Sequence, residues 1–89
     1  MAKKRRKLNK DFERKICSSK KNVELVLAKI YDIDDEDIQK EYMSAFNEVV
    51  YFYDQLKTNY EQEGFNDNSE EMLNNYQSAF KLFESEFEI

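Results

Sequence analysis

The fold follows from one run of sequence, EYMSAFNEVVYFYDQL at positions 41–56. Its apolar side chains recur at alternating steps of three and four residues, which is the spacing of one face of an α-helix. Over the longer segment 35–63 this face consists of Ile38, Tyr42, Ala45, Val49, Phe52 and Leu56. Two further columns lie beside it, namely Phe46, Tyr53 and Tyr60, and Met43 and Val50. Together the columns exceed the roughly 100° apolar arc of a surface helix, so we expect a central helix with neighbours on two sides.

The segments on either side carry the same periodicity. The apolar stripe before the central helix consists of Phe12, Ile16, Ser19, Val23, Val26 and Ile30, with Leu27 beside it. The stripe after it consists of Met72, Tyr76, Ala79 and Phe83, flanked by Leu73, Phe80 and Phe87. We predict helices over about 11–31, 35–63 and 69–87. A shorter first helix that begins at Val23, with Asn22 as its N-cap, is the alternative.

The ends of the helices have signals of their own. Asp34 or Asp35 is the expected N-cap of the central helix. Gly64 is expected to end that helix with a positive φ, because glycine has no Cβ to clash there. Asn68 and Glu71 have the spacing of a capping box, which predicts the start of the third helix.

Composition favours helices over sheets. The 89 residues include one Gly and no Pro, and sheets and long loops use these residues for their turns. A chain of this length buries roughly 60–65% of its unfolded surface, so the core is small. We predict one all-α domain, a small antiparallel three-helix bundle at 11–89, preceded by a disordered basic N-terminal arm at 1–10.

Charge is divided between the two ends of the chain. Residues 1–21 carry ten Lys and Arg against two carboxylates, whereas residues 22–89 carry four against seventeen. A dense cationic cluster on a mobile segment is suited to phosphates, since binding releases their counterions. The residues expected to contact nucleic acid are Lys3, Lys4, Arg5, Arg6, Lys7, Lys10, Arg14 and Lys15. The alternatives are a solubilising tail, a nuclear import signal in a eukaryotic host, or a basic segment that pairs with Asp54, Glu61 and Glu63.

The residue types of common catalytic sites are scarce. The chain has no His, one cysteine (Cys17) and one Gly, which leaves no usual general base and no phosphate-cradling loop. The acidic stretch that begins at Asp32 resembles an EF-hand only at its start, because Asp37 stands where Gly is needed and Met43 where a bidentate Glu belongs. We therefore expect a protein that is not an enzyme and that carries no cofactor and no metal.

The sequence also bears on location. No run approaches the roughly 18 apolar residues of a membrane span, and no hydrophobic segment of a signal peptide follows the basic start. A single cysteine excludes an internal disulfide. We expect no membrane association and an intracellular location, cytoplasmic or, in a eukaryotic host, nuclear. The composition is similar to that of small proteins encoded by phages and other mobile elements.

Acidic and aromatic side chains of the second and third helices suggest a protein-binding surface. An acidic helical face with aromatic interruptions can occupy a basic, nucleic-acid-binding surface of another protein, and exposed aromatics are frequent hot spots. The expected contact residues are Tyr51, Glu41, Glu48, Glu84, Glu86 and Glu88. The main hypothesis is a non-enzymatic protein-binding module that modulates or inhibits a nucleic-acid-associated machine. A frayed last turn is the other explanation for the acids at the C-terminus.

Two alternatives belong to other functional classes. The first is a direct nucleic-acid-binding protein that uses the basic segment 3–21. The second is a self-assembling structural protein, a homo-oligomer, because Met43, Val50 and Tyr51 widen the apolar face of the central helix.

Overall fold

The computed structural model describes residues 7–87 and contains three α-helices. Helix α1 spans Lys10–Tyr31, α2 spans Glu36–Glu63 and α3 spans Ser69–Glu86. Helix α2 packs against both of the others, whereas no Cα of α1 lies within 8 Å of a Cα of α3. The predicted antiparallel three-helix bundle, with the second helix at its centre, is confirmed. Residues 1–6 of the predicted basic arm lie outside the described residues.

Polar caps begin the first two helices. Asn9 accepts a hydrogen bond from the backbone N–H of Phe12 at 3.0 Å and so caps α1. Asp35 caps α2 by accepting from the N–H groups of Asp37 and Ile38, as predicted. Helix α1 continues without a break from Lys10 to Tyr31, so the alternative of a shorter first helix is wrong.

The capping box predicted for α3 is also wrong. Asn68 has helical backbone angles (φ −90°, ψ −11°) and its side chain makes no capping hydrogen bond, whereas a capping side chain needs an extended backbone. Asn66 organises this turn instead, because its side chain accepts from the N–H of Asn68 at 2.9 Å. The hydroxyl of Ser69 accepts from the N–H of Asn66, also at 2.9 Å, and closes the turn.

The segment before α1 is held against the loop between α2 and α3. Lys7 forms an isolated parallel bridge with Gly64, and the Phe65 N–H donates to the Lys7 carbonyl at 2.6 Å. The N–H of Asn9 donates to the hydroxyl of Tyr60 at 3.0 Å, and that hydroxyl donates to the carboxylate of Glu13 at 2.5 Å. The last residues of the predicted arm therefore belong to the folded body.

The core follows the predicted stripes, with one shift within α2. The buried apolar side chains are Phe12, Val23, Val26, Ile30, Phe46, Val49, Tyr53, Leu56, Leu73, Tyr76 and Phe83. The column of Phe46 is more deeply buried than the stripe that includes Ile38, which is 43% exposed. The reason is the length of α3: its C-terminal end contacts Tyr42 through Phe87, so Ile38, one turn earlier, lies beyond it.

The side chains that suggested self-assembly are largely used within this chain. Met43 and Val50 are half-buried and pack against the core. Of the three residues, Tyr51 alone is exposed. The apolar face of α2 is therefore covered mainly by α1 and α3.

Candidate interaction surfaces

A groove of about 850 Å³ runs between α1 and α3. Val26, Tyr76 and Phe80 lie at its floor, where the two helices meet the core. The Tyr76 hydroxyl donates to the backbone carbonyl of Ser19 at 3.2 Å and joins the helices across this floor. Because the two backbones stay apart, the space between them remains open to solvent.

Cations dominate the charged lining of this α1–α3 groove. Helix α1 contributes Arg14, Lys15 and Lys29, and α3 contributes Lys81. Glu84 is the one carboxylate among the lining residues of the described chain. The side chains with hydrogen-bonding groups between these charges are Ser18, Asn22, Asn74, Gln77 and Ser78. The groove is thus cationic and rich in hydrogen-bond donors.

Tyr76 at the floor of the groove and Tyr53, whose ring contacts that of Tyr76, carry neutral phenols at pH 7. Burial, reinforced by the nearby carboxylates of Glu24 and Asp54, raises the pKa of Tyr53 above its ordinary value of 10.0. Burial also raises the pKa of Tyr76, although the nearby Ser19 hydroxyl, which can donate to a phenolate, acts in the opposite direction. Tyr76 therefore keeps the proton that it donates to Ser19, and the floor carries no negative charge.

A second surface lies on the solvent side of α2. Glu41, Glu48 and Tyr51 are exposed, and their spacing of seven and three residues places them on one side of the helix. The Tyr51 ring is 59% exposed and meets Phe52 edge-on, with ring centroids 5.6 Å apart. We call these three residues the α2 surface. It offers carboxylates beside an aromatic ring that a neighbouring ring orients.

Comparison with protein-family models, curated proteins and solved structures gives no match. The functional assignment therefore rests on the geometry and charge of this chain. Within residues 7–87, no group of three or more His, Cys, Asp or Glu side chains is placed to hold a metal ion. No helix of that part of the chain is long and apolar enough to cross a membrane.

The predicted nucleic-acid residues divide into three groups. Lys3, Lys4, Arg5 and Arg6 lie outside the described residues. Lys7 and Lys10 are exposed near the start of α1, and Lys7 borders the α2–α3 loop. Arg14 and Lys15 are exposed on the wall of the α1–α3 groove, and Arg14 also lies 3.7 Å from the carboxylate of Asp11. That pair is fully accessible to water and contributes little to stability.

The sequence prediction missed Lys29 and Lys81, which complete the cationic lining. One side of α1 carries Lys15, Asn22 and Lys29 at steps of seven residues. This spacing predicts that the three side chains share a face of the helix, so the sequence contained the signal for Lys29. Lys81 stands alone among the acids of α3, and no local pattern connects it with α1. Lys81 lines the same groove as Lys29 only because both helices pack on α2.

The predicted C-terminal acids do not share one face. Glu84 and Glu86 are two positions apart, which separates them by about 200° around α3. Glu84 lines the groove among the cations, while Glu86 is exposed. Glu86 is followed by Phe87, whose ring lies 4.8 Å from that of Tyr42 on α2. Glu88 lies outside the described residues.

Proposed function

We propose that this chain is a non-enzymatic protein-binding module whose α2 surface binds a basic surface of a nucleic-acid-associated protein. The observation that supports the proposal is the exposed ring of Tyr51 beside two carboxylates on one side of a long helix. A large aromatic side chain on a rigid helix loses little conformational entropy on binding. The carboxylates of Glu41 and Glu48 would steer the approach of a cationic partner.

The effect of such binding is modulation or inhibition of the partner. A protein that binds nucleic acid presents cations to the phosphates, and an acidic helix that covers those cations competes for the same surface. The same mode of action suits a small protein encoded by a phage or another mobile element. Glu41, Glu48 and Tyr51 are exposed in the bundle, so their side chains are accessible to a partner.

The test is capture of the partner from a lysate of the host, with and without nuclease, read by mass spectrometry. Wild-type protein should capture a nuclease-resistant partner, and the variants Glu41→Lys/Glu48→Lys and Tyr51→Ala should capture much less of it. The matched control is Asp32→Lys/Asp34→Lys, which makes the same change in charge at exposed loop positions. Equal capture by all four proteins, or a partner lost on nuclease treatment, would refute the proposal.

Direct nucleic-acid binding by the basic N-terminal segment is the second candidate. The observation in its favour is that Lys7, Lys10, Arg14 and Lys15 are all exposed, so their charges are available to phosphates. The structure restricts how this candidate is tested. Deleting residues 1–9 would also remove Asn9, the cap of α1, so substitution of Lys3, Lys4, Arg5 and Arg6 by Gln is the cleaner change.

A further inference from the structure

The α1–α3 groove has the opposite charge to the chain that contains it. The formal net charge of the protein is −5, yet Arg14, Lys15, Lys29 and Lys81 face a single carboxylate across this groove. Arg14 is partly balanced by Asp11, 3.7 Å away, but the cations of the groove still outnumber the carboxylates. Like charges repel one another, and an anionic ligand relieves that repulsion. We propose that the α1–α3 groove binds single-stranded nucleic acid through its phosphodiester backbone.

The neutral lining of the groove suits phosphates. Proteins hold nucleic-acid backbones with Arg and Lys together with hydroxyl and amide side chains. The hydroxyls of Ser18 and Ser78 and the amides of Asn22, Asn74 and Gln77 stand among the four cations. A phosphate oxygen entering the groove would therefore meet hydrogen-bond donors as well as positive charge.

An acidic amphipathic helix fits the same groove less well. Such a helix binds by seating apolar anchors, one turn apart, on a continuous hydrophobic floor. Val26 and Tyr76 are only 7% and 3% exposed, so they offer little surface to a ligand. Leu25, which is 61% exposed, and the half-buried Phe80 at the floor are separate apolar patches. Patches of this kind can contact the faces of individual bases, as aromatic platforms do in single-strand-binding proteins.

The dimensions also favour a single strand. Arg14 and Lys29 are fifteen residues apart on α1, which corresponds to about 22 Å of helix. That length accommodates about four to six nucleotides, near the lower end of the range for single-strand sites. A duplex is convex and would touch the rims of a concave groove without reaching its donors. The neutral Tyr76 at the floor adds no charge that would repel phosphate.

The groove site shares no residue with the α2 surface and overlaps the second candidate only at Arg14 and Lys15. Lys29 and Lys81 belong to neither the α2 surface nor the basic N-terminal segment. Arg14 and Lys15 belong to both the N-terminal segment and the groove, which extends the second candidate along α1 and across to α3. Failure of the groove site would therefore leave the α2 surface proposal intact, and the converse also holds.

The experiment is fluorescence anisotropy of a labelled oligonucleotide of about twelve nucleotides, with single-stranded DNA, single-stranded RNA and duplex DNA in parallel. Full-length wild-type protein should bind a single strand more tightly than the duplex. Lys29→Glu/Lys81→Glu should weaken single-strand binding at least about tenfold. It should also reduce the slope of log affinity against log salt by about 1.4, because each lost phosphate contact removes about 0.7. The milder Lys29→Gln/Lys81→Gln should change both quantities in the same direction.

Matched variants identify the site. Lys40→Glu/Lys57→Glu makes the same change in charge at exposed positions of α2 and should alter affinity less than about twofold. Substitution of the four basic residues at 3–6 by Gln should leave the tenfold effect of the groove variant in place. Circular dichroism of each variant verifies the fold. Binding to either DNA or RNA supports the proposal, and the comparison of the two shows whether the 2′-hydroxyl contributes.

Several results would overturn the groove site. These are absence of binding to both single strands, tighter binding to the duplex, unchanged affinity in Lys29→Glu/Lys81→Glu, or an equal loss in the α2 control. The groove would instead bind a protein if two results occur together. The wild type binds no oligonucleotide, and it captures a nuclease-resistant acidic protein that only the groove variant fails to capture. The groove would bind a second copy of the chain if the wild type binds no oligonucleotide and is a dimer, whereas the groove variant is a monomer.

Discussion

At the scale of single residues, two tyrosines connect the groove with the core. Tyr53 of α2 and Tyr76 of α3 are 8% and 3% exposed, and their ring centroids lie 6.0 Å apart. Tyr76 also reaches α1 through Ser19. A buried hydroxyl is tolerated when it finds an acceptor, so this hydrogen bond fixes the separation of α1 and α3 at the floor of the groove.

These two phenols predict an alkaline dependence of stability. Their pKa values are raised above the ordinary 10.0 in the folded protein, chiefly by burial, so both side chains are protonated in either state only well below pH 10. Above that pH the unfolded chain loses its phenolic protons first, and the free energy of unfolding falls as the pH rises through the folded-state pKa values. Urea unfolding at a series of pH values above 8 should show this fall.

The matched variant for that measurement is Tyr53→Phe/Tyr76→Phe. At pH 8 its free energy of unfolding should be lower than that of the wild type by about 1 kcal/mol, because the hydrogen bond from Tyr76 to Ser19 is lost. Its stability should then fall less steeply with pH than that of the wild type. Tyr51→Phe, at an exposed position, should keep the wild-type slope. Parallel curves for the wild type and the double variant would contradict a role for the buried phenols.

At the scale of elements, the end of α2 depends on one backbone conformation. Gly64 has φ 72° and ψ −164°, the one positive φ in residues 7–87, and its N–H still donates to the Tyr60 carbonyl at 2.9 Å. Residues with a Cβ avoid this combination of angles. The turn aligns Gly64 with Lys7, so it also positions the segment that leads into α1.

Gly64→Ala should therefore destabilise the protein by about 1–3 kcal/mol. The added Cβ disfavours the backbone angles, and it must also fit at a buried position. Denaturant unfolding followed by circular dichroism measures the change. Asp67→Ala, at an exposed position of the same loop, should stay within about 0.5 kcal/mol of the wild type. Equal stability of Gly64→Ala and the wild type would show that residue 64 does not need this conformation.

At the scale of the whole molecule, the three helices differ in how extensively they pack against one another. Helix α2 and helix α3 share several ring contacts, among them Phe46 with Phe83 at 4.8 Å and Tyr42 with Phe83 at 6.4 Å. In the described residues, the ring contacts of α1 are made by Phe12 alone, with Tyr60 and Phe65. Helix α1 packs on α2 and faces the open groove on the side of α3.

This asymmetry predicts that α1 opens before the rest of the bundle. Native-state hydrogen exchange should show amides at the centre of α1, such as Val23 and Val26, exchanging with a lower free energy than those around Val49 in α2. Both sets lie in the interior of regular helices, so differences in local hydrogen bonding are small. Equal free energies for the two sets would indicate that the bundle unfolds as a single unit.

The periodicity of the chain was sufficient for the fold. Three apolar stripes, Asp35 as a cap, Gly64 as a terminator and the near absence of Gly and Pro predicted three antiparallel helices whose ends lie within about a residue of those observed. These features depend on residues close in sequence, for which helix geometry alone fixes the neighbours. For the same reason the exposure of Tyr51 was predictable from its place between the stripes.

Tertiary packing alone decided the relation between distant residues. Helices α1 and α3 could in principle have touched, but their backbones stay apart across a groove that the Tyr76 hydroxyl spans to reach the Ser19 carbonyl. Because of that separation, Lys29 of α1 and Lys81 of α3 line the same groove. The sequence by itself determined which residues form each helix and which side faces the core. The sequence did not determine which sides of α1 and α3 face one another across the groove. That arrangement depends on the distance between the helix axes, and side chains from all three helices together set this distance.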